Sequence, residues 1–191
     1  WVSGVAATPL NGAYSTSEGM VFDGTDDYLE LTPWEFGDEP MTVEAYVYYD
    51  AFNTWSRIID FGDSNGLDNV VLANDRTTSK LNWSMRRGSS HRTTSTDILE
   101  LNKWIHLVAT VSGTTMKVYK DGVLEDTITT GHEPNKKTRI KHYVGKSWWS
   151  DILTSDDAYF YGTIAYLRFW HGTALSDSDV ATLYANRENK G

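Results

Sequence analysis

An all-β sandwich is the fold class this sequence predicts, and three observations carry that prediction. About ten short segments alternate apolar and polar residues, the period that sends successive side chains to opposite faces of a strand. Turn signals separate them roughly every 8–12 residues. No helical pattern alternates with the strands, as a parallel sheet would need; one short helical segment lies near the C-terminus.

The elements follow in order. Residues 1–19 are small and polar and form an irregular lead-in with room for one short strand. Residues 20–31, MVFDGTDDYLEL, read as two strands around a turn at Asp23-Gly24. Residues 42–49 alternate Val43, Ala45 and Val47 against Glu44, Tyr46 and Tyr48. Residues 56–61 and 69–73 are short strands joined by GDSNGLD, and residues 80–85 alternate again. Residues 86–96, rich in Ser, Thr and Arg, make a long loop or a weak edge strand. Residues 101–104 turn into a strand at 105–111, where Ile105, Leu107, Ala109 and Val111 share a face. Residues 115–120 and 123–127 flank Asp121-Gly122, a two-residue hairpin loop that needs positive φ. Residues 139–145 form a further strand. In the strand at 163–170, Ala165, Leu167 and Phe169 point to the core and Ile164, Tyr166, Arg168 and Trp170 point outward. A helix at 176–184 starts with Ser176 at the N-cap and Asp179 reaching back to it, and presents Val180, Leu183 and Tyr184 along one stripe.

Composition narrows the function. A chain of 191 residues fits one domain over residues 1–191, burying roughly 70% of its unfolded surface without staples. It has no cysteine, hence no disulfide and no thiolate chemistry. A net charge of −9 with no basic stripe argues against nucleic acid, while surface carboxylates suit hard cations such as calcium. No apolar run approaches the roughly 20 residues that span a bilayer, so no membrane insertion is expected. The chain begins with Trp1 rather than Met and reads as a processed product or a piece of something longer.

Several segments, in this order, resemble the laminin G-like, or concanavalin A-like, lectin/glucanase superfamily: FDGTDDYLEL (22–31), MTVEAYV (41–47), SRIIDFG (56–62), LNKWIHLVATV (101–111), MKVYKDGVLED (116–126), YVGKSWW (143–149) and YFYGTIAYLRFWHGTALSDSDVATLY (159–184). The resemblance covers about residues 19–185. It implies a two-sheet antiparallel jelly roll with a convex and a concave sheet. It also implies binding of glycans or protein ligands, often with calcium at a loop rim. The superfamily includes glycoside hydrolases and lyases too, so the fold alone does not assign the function.

Three constellations stand out. Asp23, Asp26 and Asp27 place three carboxylates around a glycine turn, a spacing calcium uses, and the resemblance puts a cation site there; Asp156 and Asp157 are a second acidic pair for the same rim. Turn capping by Asp23 accounts for the same residues without a metal. Asp63, Asn65 and Asp68 resemble part of a calcium loop but lack its terminal acid, so a plain polar loop is favoured. The third is aromatic: Trp148 and Trp149 beside Asp151, with Trp55, Trp83 and Tyr159. Indole faces stack on the C–H faces of sugars, and Arg57, Arg86 and Arg87 can meet hydroxyls, carboxylates or sulfates with paired donors. Alternatively, one indole of the pair packs beneath the loop and the other covers the sheet edge.

Catalytic patterns are missing. The acids lack the alternating E-x-D-x-x-E spacing of the glucanase relatives, and there is no G-x-S-x-G or H-E-x-x-H. Asn82-Trp83-Ser84 is a formal glycosylation sequon inside a predicted strand. The expectation is a non-catalytic binding module, carbohydrate-binding and calcium-stabilised. It would serve adhesion or targeting within a larger multidomain protein at the cell surface or outside the cell, with a glycan or glycoprotein as partner. A protein ligand is the strongest competitor. A glycoside hydrolase or polysaccharide lyase of the same superfamily, and a structural or assembly domain, are the alternatives.

Overall fold

The computed structural model describes residues 5–63, 67–151 and 156–187. Its strands are, in chain order, β1 (Ala7–Leu10), β2 (Tyr14–Ser15), β3 (Met20–Asp23), β4 (Tyr28–Leu31), β5 (Glu35–Phe36), β6 (Met41–Ala51), β7 (Arg57–Gly62) and β8 (Val70–Asn74). There follow β9 (Lys80–Arg87), β10 (Ser90–Asp97), β11 (Trp104–Ser112), β12 (Thr115–Lys120), β13 (Val123–Ile128), β14 (Lys137–Thr138), β15 (Lys141–Val144) and β16 (Tyr161–His171), then helix α1 (Asp177–Ala185).

Two antiparallel sheets of seven strands each form the sandwich. The first runs β1-β4-β15-β7-β8-β9-β10 and the second β13-β12-β11-β6-β16-β3-β2, while β14 and β5 pair separately. The alternation explains the core directly. Val43, Ala45, Val47 and Tyr49 of β6 meet Leu81, Trp83 and Met85 of β9, together with Leu29, Ile58, Phe61 and Val144, in one buried cluster between the layers. Each such apolar side chain contributes about 1.5–3 kcal/mol on burial. Trp83 belongs to this core, fully buried, with Nε1 donating to the Thr110 carbonyl at 3.1 Å, so it is not available to a ligand.

Local chemistry sets the turns. Asp121 (φ 48°) and Gly122 (φ 81°) both adopt the positive φ that their two-residue loop demands. The region 86–96 resolves as the end of β9, a turn at residues 88–89 and the edge strand β10, which pairs with β9 along its length. Ser176 caps α1 and Asp179 closes the capping box: the Asp179 N–H donates to Ser176 Oγ at 3.2 Å, and the Ser176 N–H donates to Asp179 Oδ2 at 2.9 Å.

One expectation is sharpened and one corrected. Strands β3 and β4 flank the Asp23-Gly24 turn as expected, but β3 lies in the second sheet and β4 in the first. The Asp23-Gly24 turn is a corner between layers, clamped by the Asp23 N–H donating to Asp27 Oδ2 at 2.9 Å. In β16, the pairing with β6 skips Ala165: Ile164 opposes Val47 and Tyr166 opposes Tyr46. This bulge shifts the alternation by one residue. Ile164 therefore joins the core beside Leu167 and Phe169, rather than facing outward.

The C-terminal segment packs on the outer face of the second sheet. Val180 joins Val108 and Tyr119 in a small buried cluster against which Leu175 packs. Beneath it, Glu44 and His106 are fully buried and joined at 2.8 Å, and Arg168 Nη1 reaches Glu44 Oε2 at 3.1 Å. Among the described residues, the outer face of the first sheet carries no α-helix, only a 3-10 turn at Trp148–Asp151 over β7.

Candidate functional site

The chain leaves β15 through Gly145 (φ 84°), where a Cβ would lie 2.8 Å from the Phe22 ring. It then folds over β7 in the middle of the first sheet's outer face. The Trp148 N–H donates to Asp60 Oδ2 at 3.0 Å, and the Trp148 side chain lies 3.2 Å from where a Gly62 Cβ would stand. Trp148 is consequently 2% exposed, and its rings are not offered to a ligand. The stacking expectation for that residue is corrected: the first indole is the loop's anchor. Trp149 sits edge-on to it, with ring centroids 6.0 Å apart, and remains half-buried.

On the β8–β9–β10 side of this loop lies a groove of about 350 Å³. Trp149 and Trp55 form its walls, with Arg57, Arg86 and Asp157. Asn69, Val71, Asn82, Ser84 and His91 complete the lining. Asn82, Ser84 and Arg86 are the outward residues of β9, set by the alternation that sends Leu81, Trp83 and Met85 inward.

The polar groups are held in place. Arg57 donates to the Trp55 carbonyl through Nη1 and to Asp157 Oδ2 through Nη2 at 2.8 Å, and its Nε lies 3.6 Å from Asp60 Oδ2. Ser147 Oγ also donates to Asp157 Oδ2, at 2.7 Å. Asn69 Nδ2 donates to Asp60 Oδ1 at 2.8 Å. Burial pushes the Asp60 carboxyl above its usual range, opposed by Arg57, Asn69 and the Trp148 N–H. Ser84 Oγ and His91 Nε2 are 2.6 Å apart. Asn82 Nδ2 donates to Thr93 Oγ1 at 2.8 Å, so the sequon asparagine is a groove-floor residue. The Arg86 guanidinium lies 5.2 Å from the centroid of the Trp149 ring.

The remaining expected ligand residues fall elsewhere. Asp151 lies on the other side of the loop, where it accepts from Tyr143 Oη at 2.9 Å and pairs with Lys146 at 2.7 Å. Tyr159 packs near Tyr28, with ring centroids 6.4 Å apart. Arg87 pairs with Asp38 at 3.0 Å. The structure thus brings Trp149, Arg57, Arg86 and Trp55 together. It adds Asn69, Asn82, Ser84 and His91, which the sequence reading left out.

The acids divide as well. Asp23, Asp26 and Asp27 each offer one oxygen within 4.8 Å of the others. Two hydrogen bonds, Asp23 N–H to Asp27 Oδ2 and Thr25 N–H to Asp23 Oδ1 at 2.7 Å, belong to turn capping. They leave Asp27 Oδ1 buried with no hydrogen-bond partner. Burial and then the neighbouring Asp23 and Asp26 charges raise the Asp27 carboxyl, against the Asp23 N–H that lowers it. An orphaned buried oxygen in a like-charged trio fits a hard cation. Asp157 pairs with Arg57, and among the described residues Asp156 and Asp157 belong to no group of three metal-ligating side chains; Asp156 is exposed beside Thr54 and Arg76. In the 63–68 loop, Asn65 lies outside the described residues, while Lys137 pairs with both Asp63 and Asp68, so these acids serve an internal ion pair.

Among the described residues, no helix is long and apolar enough to cross a membrane. Residues 23–181 match the family described as the concanavalin A-like lectin/glucanases superfamily. No curated protein matches the chain. Among solved structures, domain 4 of AbnA, a GH43 extracellular arabinanase from Geobacillus stearothermophilus in complex with arabinotriose, is similar at 19% identity and a TM-score of 0.77, over 94% of this chain and 87% of that one. A heptameric SAP-like pentraxin from Limulus polyphemus is similar at 20% identity and a TM-score of 0.65, over 86% and 80%. The botulinum neurotoxin serotype D ligand binding domain in complex with N-acetylneuraminic acid is similar at 14% identity and a TM-score of 0.74. The match spans 97% of this chain but 47% of the toxin chain, about half its length. At these identities the likeness is one of fold.

Proposed function

The chain belongs to the concanavalin A-like lectin/glucanase superfamily, and on that premise we propose that it is a non-catalytic carbohydrate-binding module working through the groove beside Trp149. The observation that carries this reading is the groove itself. An indole wall, an amide, hydroxyl and imidazole floor, and two arginines are arranged on the outer face of a sheet. Sugars need that combination: an apolar face to stack on and planar donors and acceptors for hydroxyls. Two of the similar structures were solved with a sugar bound, arabinotriose in one and N-acetylneuraminic acid in the other, which supports a glycan as partner.

The non-catalytic part rests on the acids. Arg57 lies between Asp60 and Asp157 and bonds to Asp157 while facing Asp60, so these two carboxylates are tied to one cation rather than opposed across a bond. Calcium belongs to the same proposal. Asp23, Asp26 and Asp27 would hold it, and its charge would offset their mutual repulsion and stiffen the corner between β3 and β4. A role in adhesion or targeting, as one part of a larger extracellular or surface protein, completes the reading.

A glycan array run with calcium and then with chelator tests it. The reading expects retention on a restricted set of glycans and a fall in melting temperature with chelator. Retention on none, or reducing-sugar release from a polysaccharide panel, overturns the binding-module assignment.

A further inference from the structure

The two arginines of the groove are not equivalent, and the difference points to the ligand's charge. Arg57 is engaged: it donates to the Trp55 carbonyl and to Asp157, and Asp60 lies 3.6 Å from its Nε. Arg86 differs: its guanidinium makes no hydrogen bond and no ion pair among the described residues, and it lies over the Trp149 ring with His91 opposite it on β10. A guanidinium over an indole keeps its planar fork of donors directed past the ring edge, the geometry that meets carboxylate or sulfate in pairs. The other acids near the groove are committed, Asp157 to Arg57 and Ser147, and Asp60 to Asn69 and the Trp148 N–H. Arg86 is thus a cation with no carboxylate bonded to it among the described residues, inside a concave site on a chain whose net charge is −9.

We propose that the groove takes an anionic sugar, a uronic acid or a sulfated residue, whose ring stacks beside Trp149 and whose negative group is met by Arg86. This deepens, and rests on, the reading of the groove as a glycan site. Asn82 and Ser84, on the same strand as Arg86, face the ring hydroxyls.

Calorimetric titration of the full chain separates the possibilities. The probes are tetragalacturonate, its methyl ester, a heparin-derived tetrasaccharide and arabinotriose, each at low and high salt. The acidic probe that matches binds roughly tenfold or more tighter than the methyl ester and arabinotriose, and salt weakens it while sparing the neutral probes. Whichever of the carboxylated and sulfated probes wins identifies the source of the charge. Arg86→Gln removes that preference and leaves the melting temperature in place, because the side chain it replaces bonds to no protein group among the described residues. Binding of both acidic probes no tighter than the methyl ester and arabinotriose, or an unchanged preference in Arg86→Gln, overturns the anionic assignment and leaves the glycan reading standing. No binding of any probe overturns both.

Discussion

The outer faces of the two sheets began with the same pattern and ended in opposite conditions. Each presents polar and aromatic residues at alternate strand positions. On the second sheet, α1 and the segment leading to it close over the centre: Glu44 and His106 are fully buried and bonded to each other, and Thr42 donates to the Thr173 carbonyl at 2.9 Å. On the first sheet, a loop covers only the middle and a groove stays open beside it, holding an arginine with no anionic partner among the described residues. Polar groups on a sheet face are thus bonded to one another where a helix seals them and left accessible where only a loop covers part of the face.

That contrast can be broken first on the sealed face. Glu44→Ala leaves His106 buried without its carboxylate and should destabilise the fold by about 3 kcal/mol, read by urea unfolding, with glycan retention by the folded fraction unchanged. A loss of retention in step with an intact fold would mean that the two faces are not separate. On the open face the signature reverses. Trp149→Ala should weaken binding about tenfold or more and shift stability by less than about 1 kcal/mol. Ser176→Ala removes the cap of the sealing helix and should cost about 1 kcal/mol, again without touching binding.

The smallest effect sits at the corner between the sheets. Burial holds the Asp27 carboxyl above the usual range, so the folded chain binds that proton more tightly than the unfolded one. Without calcium, this group therefore contributes stability at acid pH that is lost as pH rises through its folded value. Asp27→Asn should raise the melting temperature slightly in chelator at neutral pH and abolish any further rise on adding calcium. A calcium-dependent rise that persists in Asp27→Asn removes the trio as the metal site.

Much of the fold was legible because it is written locally. The Asp121-Gly122 hairpin, the Ser176 cap and the inward rows of β6, β9 and β11 depend on residues near one another in sequence. What failed was long-range. Nothing local marks Ala165 as a bulge, which is set by how β16 registers against β6. Nothing in DGTDD says that the strands on either side enter different sheets. The two tryptophans show the limit most clearly. They are adjacent and chemically identical, yet Trp148 goes down because Asp60, 88 residues away, takes its N–H, and Trp149 is left at the groove. The floor could have been read further: alternation through 80–86 already turns Asn82, Ser84 and Arg86 to the face opposite Trp83, but not toward Trp149.

The most direct measurement is glycan-array retention of the wild type and of Trp149→Ala at matched melting temperature. The account predicts a defined set of retained glycans in the first and their loss in the second. A wild type that retains nothing, or a variant that retains the same set equally well, would contradict it.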